Sequence, residues 1–175
     1  MNYQEQNRLN RNSWAQDFLK YIGAPVYQNN VNFVIAWQRC ENSSFKFNPL
    51  ATTWKLNNST GILEQNYDSL NTGFEATKKT LFNGKYENIR FILMNNAGVL
   101  NQRGAGLVDL KYQFSTWGTN PDTFLKVFSE IKNNPVAVAE PYVVAENETA
   151  GFSFNIIFIL ILIFFFTSNN SNKLN

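Results

Sequence analysis

The residues from Ile156 to Phe166 are unbroken apolar sequence, and none from Thr149 to Asn172 carries a charge. No other feature limits the fold as much. A run so rich in Phe and Ile aggregates when exposed, so lipid, detergent or another chain must cover it. As helix, Phe152–Phe166 is about 22 Å long and Ala150–Ser168 about 28 Å. The second length barely matches a hydrocarbon core of about 30 Å. Membrane contact is therefore expected of residues 151–175, as an anchor or a piercing segment. The alternative is a strand packed inside a multi-subunit particle. Residues 133–150, interrupted by Pro135 and Pro141, read as an extended linker. That leaves residues 1–132 to form a domain. The first twelve residues, MNYQEQNRLNRN, are polar and read as no secretory signal.

The domain has enough apolar sequence for a core, since 44% of the 175-residue chain is hydrophobic. Charged residues are only 16%, against about 25% in an average domain. The 27 asparagines supply much of the missing polarity. A net charge of +2 without a Lys/Arg cluster gives no footprint for nucleic acid. The chain has no histidine and a single cysteine, Cys40. Imidazole-dependent triads, His-ligated metals, intrachain disulfides and Cys-rich metal sites are thereby excluded. Chemistry must run on carboxylates, hydroxyls, amides, Lys, Arg or Tyr, with no metal or cofactor expected.

The fold class expected is mainly α, with loops or a short hairpin after the second helix. Ser13 and Gln16 have capping-box spacing and predict a helix through Trp14, Phe18 and Ile22, ended by Gly23 and Pro25. A second helix runs from near Asn30 to about Glu41. Residues 42–68, with Pro49 and Gly61, are polar and predict loops. Further helices are expected over 70–81, 86–94 and 106–114. The last is the clearest: Asn120 caps it, Pro121 takes its first position, and Phe124, Leu125, Phe128 and Ile131 form its stripe.

Glu41 is the most informative polar residue. Val34, Trp37 and Glu41 are spaced three and four apart, so they share one helix face. The face is otherwise apolar, and Phe45, Phe47 and Trp54 follow it. A glutamate there loses water, which raises its pKa above about 4.3 and suits it to act as a general acid. The competing reading ends the helix one residue earlier and leaves Glu41 as a cap or in water.

Seven pieces of sequence occur in an order that resembles phage-encoded lysozyme-like proteins. They are Gly23-Ala24-Pro25-Val26 with Asn30; Ala36-Trp37 with Glu41; Asn48-Pro49-Leu50-Ala51-Thr52-Thr53; Asn58 to Ile62 with Asn66-Tyr67; Gly73 to Thr77 with Thr80-Leu81; Asn83-Gly84-Lys85-Tyr86 with Ile89; and Trp117-Gly118-Thr119. Together they span roughly residues 13–132. The sequence departs from the family pattern at Tyr27, where Thr is usual, and between Gly61 and Asn66, where it is longer.

The resemblance implies an α+β fold similar to lytic transglycosylases and goose-type lysozymes. It also implies cleavage of peptidoglycan glycan strands, with Glu41 as the catalytic acid. A second carboxylate, if one is used, should lie about 5–9.5 Å away; Glu64, Asp68 and Glu75 are the candidates. Thr52, Thr53, Gln65, Asn66 and Tyr67 would face Glu41 as substrate-binding residues, with Trp117 as a wall. Tyr67 and Trp117 have core packing as an alternative role, Asn66 a turn role, and Cys40 reads as a small buried apolar residue. Expected partners are glycan strands and, through 151–175, membrane or virion tail subunits. The expected location is the virion or the host cell envelope. A non-catalytic virion or tail protein of the same fold is the rival reading.

Overall fold

The computed structural model describes residues 3–99 and 102–134, with side chains from residue 11 onward. They all belong to one compact unit within Met1–Pro141. The expectations for 135–150 and for the tail 151–175 fall outside the described residues.

Among the described residues six helices follow one another: α1 (Tyr3–Ile22), α2 (Gln28–Glu41), α3 (Leu70–Leu81), α4 (Glu87–Asn95), α5 (Ala105–Trp117) and α6 (Pro121–Asn133). The described chain is thus mainly α. Local chemistry explains most of the ends. The Ser69 side chain accepts from the Thr72 N–H and starts α3, and Asn120 does the same for Thr123 at α6, with Pro121 behind it. Gly118, at φ 108°, closes α5 in the left-handed region that a glycine enters without penalty.

One boundary departs from the sequence reading. Ser13 does not cap a helix, because α1 continues back to Tyr3. Gln16, instead of completing a capping box, donates from its side chain to Asn12 Oδ1 at 3.1 Å, one turn earlier. Residues 3–12 contain no Gly or Pro to stop a helix, and their Gln, Glu, Arg and Leu favour one. The segment between α2 and α3 is irregular. In place of a short hairpin, it holds a single antiparallel bridge between Thr60 and Asn66.

The core forms around α2, which packs against α1 and α6. Every residue from Asn30 to Gln38 is buried, so this helix has no solvent face over that stretch. Its polar residues then need partners inside the protein. Asn30 finds two: its Nδ2 donates to Pro25 O at 2.8 Å and to Leu93 O at 2.6 Å, tying the entry of α2 to the end of α4. On one side of α2 the rings of Phe33, Phe114, Phe124 and Phe128 stand 4.0 to 6.4 Å apart. A second aromatic group on α1 and α3 joins Trp14, Phe18 and Phe74 at 5.0 to 5.9 Å.

Gly73 lets α3 approach the loop that follows α2. A Cβ at this position would stand 2.1 Å from the carbonyl oxygen of Phe47. Neither side can yield easily, since the close atom is backbone and Phe47 itself sits at φ 54°. Gly73→Ala is expected to lower stability by about 2 kcal/mol or more through overpacking. A urea titration of the variant would show this as an earlier midpoint with an unchanged slope.

Candidate active site

Glu41 is the last residue of α2. Asn42 ends the helix in a left-handed conformation, φ 44° and ψ 35°, and its N–H donates to Gln38 O. The helix therefore includes Glu41, and the carboxyl stays on the face shared with buried Val34 and Trp37. The residue is half-buried.

Its partner comes from the turn between α5 and α6. Thr119 is 4% exposed, and its hydroxyl donates to Glu41 Oε1 in a short contact. The Thr119 hydroxyl oxygen in turn accepts the indole N–H of Trp37 at 3.1 Å. A chain of donors thus runs from Trp37 through Thr119 to the carboxyl. Gly118 and Asn120 fix that turn from either side, and the Thr119 N–H donates to Phe114 O at 3.0 Å.

The Glu41 pKa lies above the ordinary carboxylate value, chiefly because burial disfavours the charged form. The negative charge of Glu64 pushes the same way, while the hydrogen bonds from Thr119 and Trp37 hold it back. Beside it, burial and then the Glu41 charge push the Cys40 thiol up to about 11, so it is a neutral group. Cys40 is half-buried at the edge of the core.

Of the three second-carboxylate candidates, Glu64 is the one whose charge reaches Glu41. Asp68 is exposed and is held below the usual range by the Thr72 hydroxyl and the Asn58 amide. Glu75 lies on α3, where it accepts from the Tyr21 hydroxyl at 2.8 Å and pairs with Lys79 at 3.4 Å. These contacts keep it ionised.

The candidate substrate-binding residues separate by environment. Thr52, Gln65 and Tyr67 are buried at 2%, 1% and 2% exposure. Thr52 bonds to the Thr80 hydroxyl at 2.6 Å, and Tyr67 donates to Trp54 O at 2.7 Å. Gln65 spans its own turn, donating to Leu63 O and accepting from the Ser59 hydroxyl. Asn66 is half-buried, and its Oδ1 accepts the Lys46 N–H at 2.8 Å. Thr53 is exposed. Trp117 is partly exposed, with its ring 4.6 Å from Trp37 and 4.9 Å from Tyr86, and it donates to Leu50 O at 2.8 Å. Trp117 and Glu41 thus share the indole of Trp37 as a neighbour, whereas Thr52, Gln65 and Tyr67 hold the loop together from inside.

Two residues that sequence reasoning gave no role emerge here. Thr119 is the partner of Glu41, and Asn48 is the hub of the loop. Asn48 Nδ2 donates to Thr52 O at 2.9 Å and Gln65 O at 2.8 Å, and its Oδ1 accepts the Thr52 N–H at 2.9 Å. Only the motifs Asn48-Pro49 and Trp117-Gly118-Thr119 pointed to them.

Grooves on the described surface include two of several hundred Å³. One, of about 660 Å³, lies between α4 and α5 and is lined by Arg90, Phe91, Met94 and Asp109 among others. The second, of about 760 Å³, lies between α1 and the loop after α2, and its lining includes Trp14, Gln38, Asn42 and Phe45. Glu41 lines neither.

Thr119→Val tests the electrostatics. The Thr119 hydroxyl favours the charged carboxylate, so its loss should raise the Glu41 pKa further. It also removes the hydrogen bond from the Trp37 N–H to the Thr119 hydroxyl, worth about 0.5–1.5 kcal/mol. Carbon-13 NMR titration of the Glu41 carboxyl should show its midpoint at a higher pH in the variant. An unchanged or lower midpoint would refute the donor role.

No family model, curated protein or solved structure matches the chain.

Proposed function

We propose that this protein cleaves peptidoglycan glycan strands with Glu41 as general acid and then base, on a domain of lysozyme-like type. The observation that carries the reading is a half-buried carboxyl with a raised pKa, at the end of a helix on the face it shares with buried Val34 and Trp37. Such a group holds its proton to a higher pH than a free glutamate. The ordered series of motifs around it supports the same choice.

One carboxyl suffices for the chemistry. Protonated Glu41 gives its proton to the glycosidic oxygen as the bond from that oxygen to the sugar carbon breaks. The acetamido oxygen or the 6-hydroxyl of the same sugar supplies electrons to that carbon. In the transglycosylase form the Glu41 carboxylate takes the proton of the 6-hydroxyl as the anhydro ring closes, which regenerates the acid. In the hydrolytic form it takes a proton from water. Glu64 is near enough to add negative charge to the site, which favours the protonated state of Glu41 before reaction.

Mass spectrometry of muropeptides, after incubating purified walls with the full-length chain, tests this directly. New anhydro or reducing ends are expected, and their absence would remove the enzymatic reading.

A specific observation favours a second reading, in which the fold binds glycan or a neighbouring virion subunit without cutting. The Glu41 carboxyl already has a protein donor and lines neither groove. Retention on walls with no released product would select it.

A further inference from the structure

The turn between Thr60 and Asn66 holds two aliphatic side chains out in water. Ile62 is 90% exposed and Leu63 74%, the highest values among the large hydrophobics of the described residues. A flexible loop could fold such a pair back onto the domain, but this turn is clamped. Thr60 and Asn66 exchange backbone hydrogen bonds at 3.1 and 2.7 Å. Buried Gln65 donates to Leu63 O at 2.8 Å and accepts from the Ser59 hydroxyl at 3.0 Å. Gly61 stands at φ 142°, where a Cβ would lie 2.1 Å from Glu64 O, so no other residue fits the bend. Gln65 thus points inward while Ile62 and Leu63 point outward, the reverse of the order that water favours. The longer spacing between Gly61 and Asn66 noted in the sequence falls on these residues.

What covers the pair follows from its size, shape and charge. An aliphatic side chain buries on the order of 100 Å², so two offer about 200 Å². A specific protein interface needs roughly 800 Å² from each partner. The pair projects from a turn, whereas sugars and other small ligands are held in concave sites. A bilayer demands neither a large area nor a matching surface, since apolar side chains entering the acyl boundary gain by leaving water. Residues 60–63 carry no charge. Glu64 is half-buried and its charge reaches Glu41, so inserting the tip buries no ion. The uncharged run 156–166 of the same sequence is itself expected to contact lipid. A chain held at a bilayer by one apolar segment presents a second at high effective concentration, so a contact of two side chains suffices.

We propose that the tip at 61–63 is a lipid-contact site, in which Ile62 and Leu63 insert into the interfacial region of a bilayer and orient the domain on it. The site does not rest on the glycan reading. It adds a second place of membrane contact to the one expected of 151–175.

Leu63→Cys in a Cys40→Ala background of the full-length chain, labelled with nitrobenzoxadiazole, tests this. Phosphatidylcholine vesicles should shift the label's emission to the blue, and lipids brominated near the headgroup end of their chains should quench it. The same label at Ser129→Cys, an exposed position on α6, should stay water-like. The run 156–166 can carry the chain to vesicles by itself, so the local emission is the deciding readout. Salt at about 1 M, where the Debye length is about 3 Å, should leave the shift intact because the tip carries no charge. Ile62→Ser together with Leu63→Ser should weaken partition into the same vesicles by at least about tenfold, less than two fully inserted aliphatic side chains would give. The thermal midpoint of that double variant should match the parent's, because both side chains are exposed.

A label at 63 that stays water-like on the vesicle-bound chain, equal blue shifts at 63 and 129, loss of the shift in salt, or parent-strength partition by the double variant would overturn the site. A blue shift that grows with protein concentration and needs no lipid would assign the tip to a second copy of the chain and overturn it too. Wall cleavage enters none of these readouts, so failure of the acid leaves the site standing and failure of the site leaves the acid.

Discussion

Glu41→Gln should reduce release of glycan fragments from purified walls by at least about a hundredfold, the lower end of what a positioned general acid contributes. The substitution keeps shape and volume, and the amide oxygen can still accept the Thr119 hydroxyl, so the local fold should survive. What disappears is the transferable proton. Stability should move in the opposite direction to activity. The folded-state pKa of Glu41 is raised above its ordinary value, chiefly by burial. Its contribution to stability is therefore fully present below the unfolded pKa and is lost as pH rises through the folded one. The glutamine variant does not ionise and escapes that loss. Thermal midpoints of the two proteins should nearly coincide in acid and separate toward neutral pH, with the variant ahead. A variant that clears walls at the parent's rate would show that the proton comes from elsewhere. The parent's activity should also fall as pH rises through the same pKa, because the acid must start protonated.

The largest effect on stability is expected from Asn48→Ala. Asn48 is fully buried, and three hydrogen bonds pass through its amide to the backbone at Thr52 and Gln65. It lies between two non-glycine residues in the left-handed region, Phe47 at φ 54° and Ala51 at φ 52°. Such conformations cost about 1–3 kcal/mol each and persist only where the surroundings over-determine them. Alanine removes the bonds, leaves buried backbone groups without partners, and releases the constraint that holds the two strained residues. A loss of about 3–4 kcal/mol is expected, since each unmet buried group costs about 1–3 kcal/mol. Denaturant unfolding measures it. Amide exchange should show the added opening concentrated over residues 47–67, the segment this side chain ties together. A loss below about 1 kcal/mol would mean that water or a backbone shift replaces the amide readily.

Much of the helical framework was legible because its signals are local. The cap at Asn120, with Pro121, lies within three residues of the group it satisfies. The stripe on α6 repeats at the helical period, and Phe124, Phe128 and Ile131 are all buried. The start of α1 was misplaced for a related reason. Ser13 and Gln16 have the spacing of a capping box, but that spacing also occurs inside a helix, and nothing upstream ends one. The irregular segment was legible only as non-helical. Its order comes from Asn48, whose bonds reach residues 4 and 17 positions along the chain.

For the candidate site, the chain alone determined that Glu41 shares a helix face with Val34 and Trp37, since that follows from a period of 3.6 residues per turn. The absence of histidine likewise fixed which side chains are available for chemistry. Tertiary structure alone decided what the carboxyl meets. Thr119 is 78 residues away in sequence, and Glu64 acts through space across an irregular loop. The buried state of Gln38, with its two unmet amide atoms, also became visible only once α1 had packed against α2. Periodicity determines the direction in which a side chain leaves its helix. Desolvation and hydrogen bonding depend on which distant segments the packed core brings to that spot, and spacing along the chain carries no record of them.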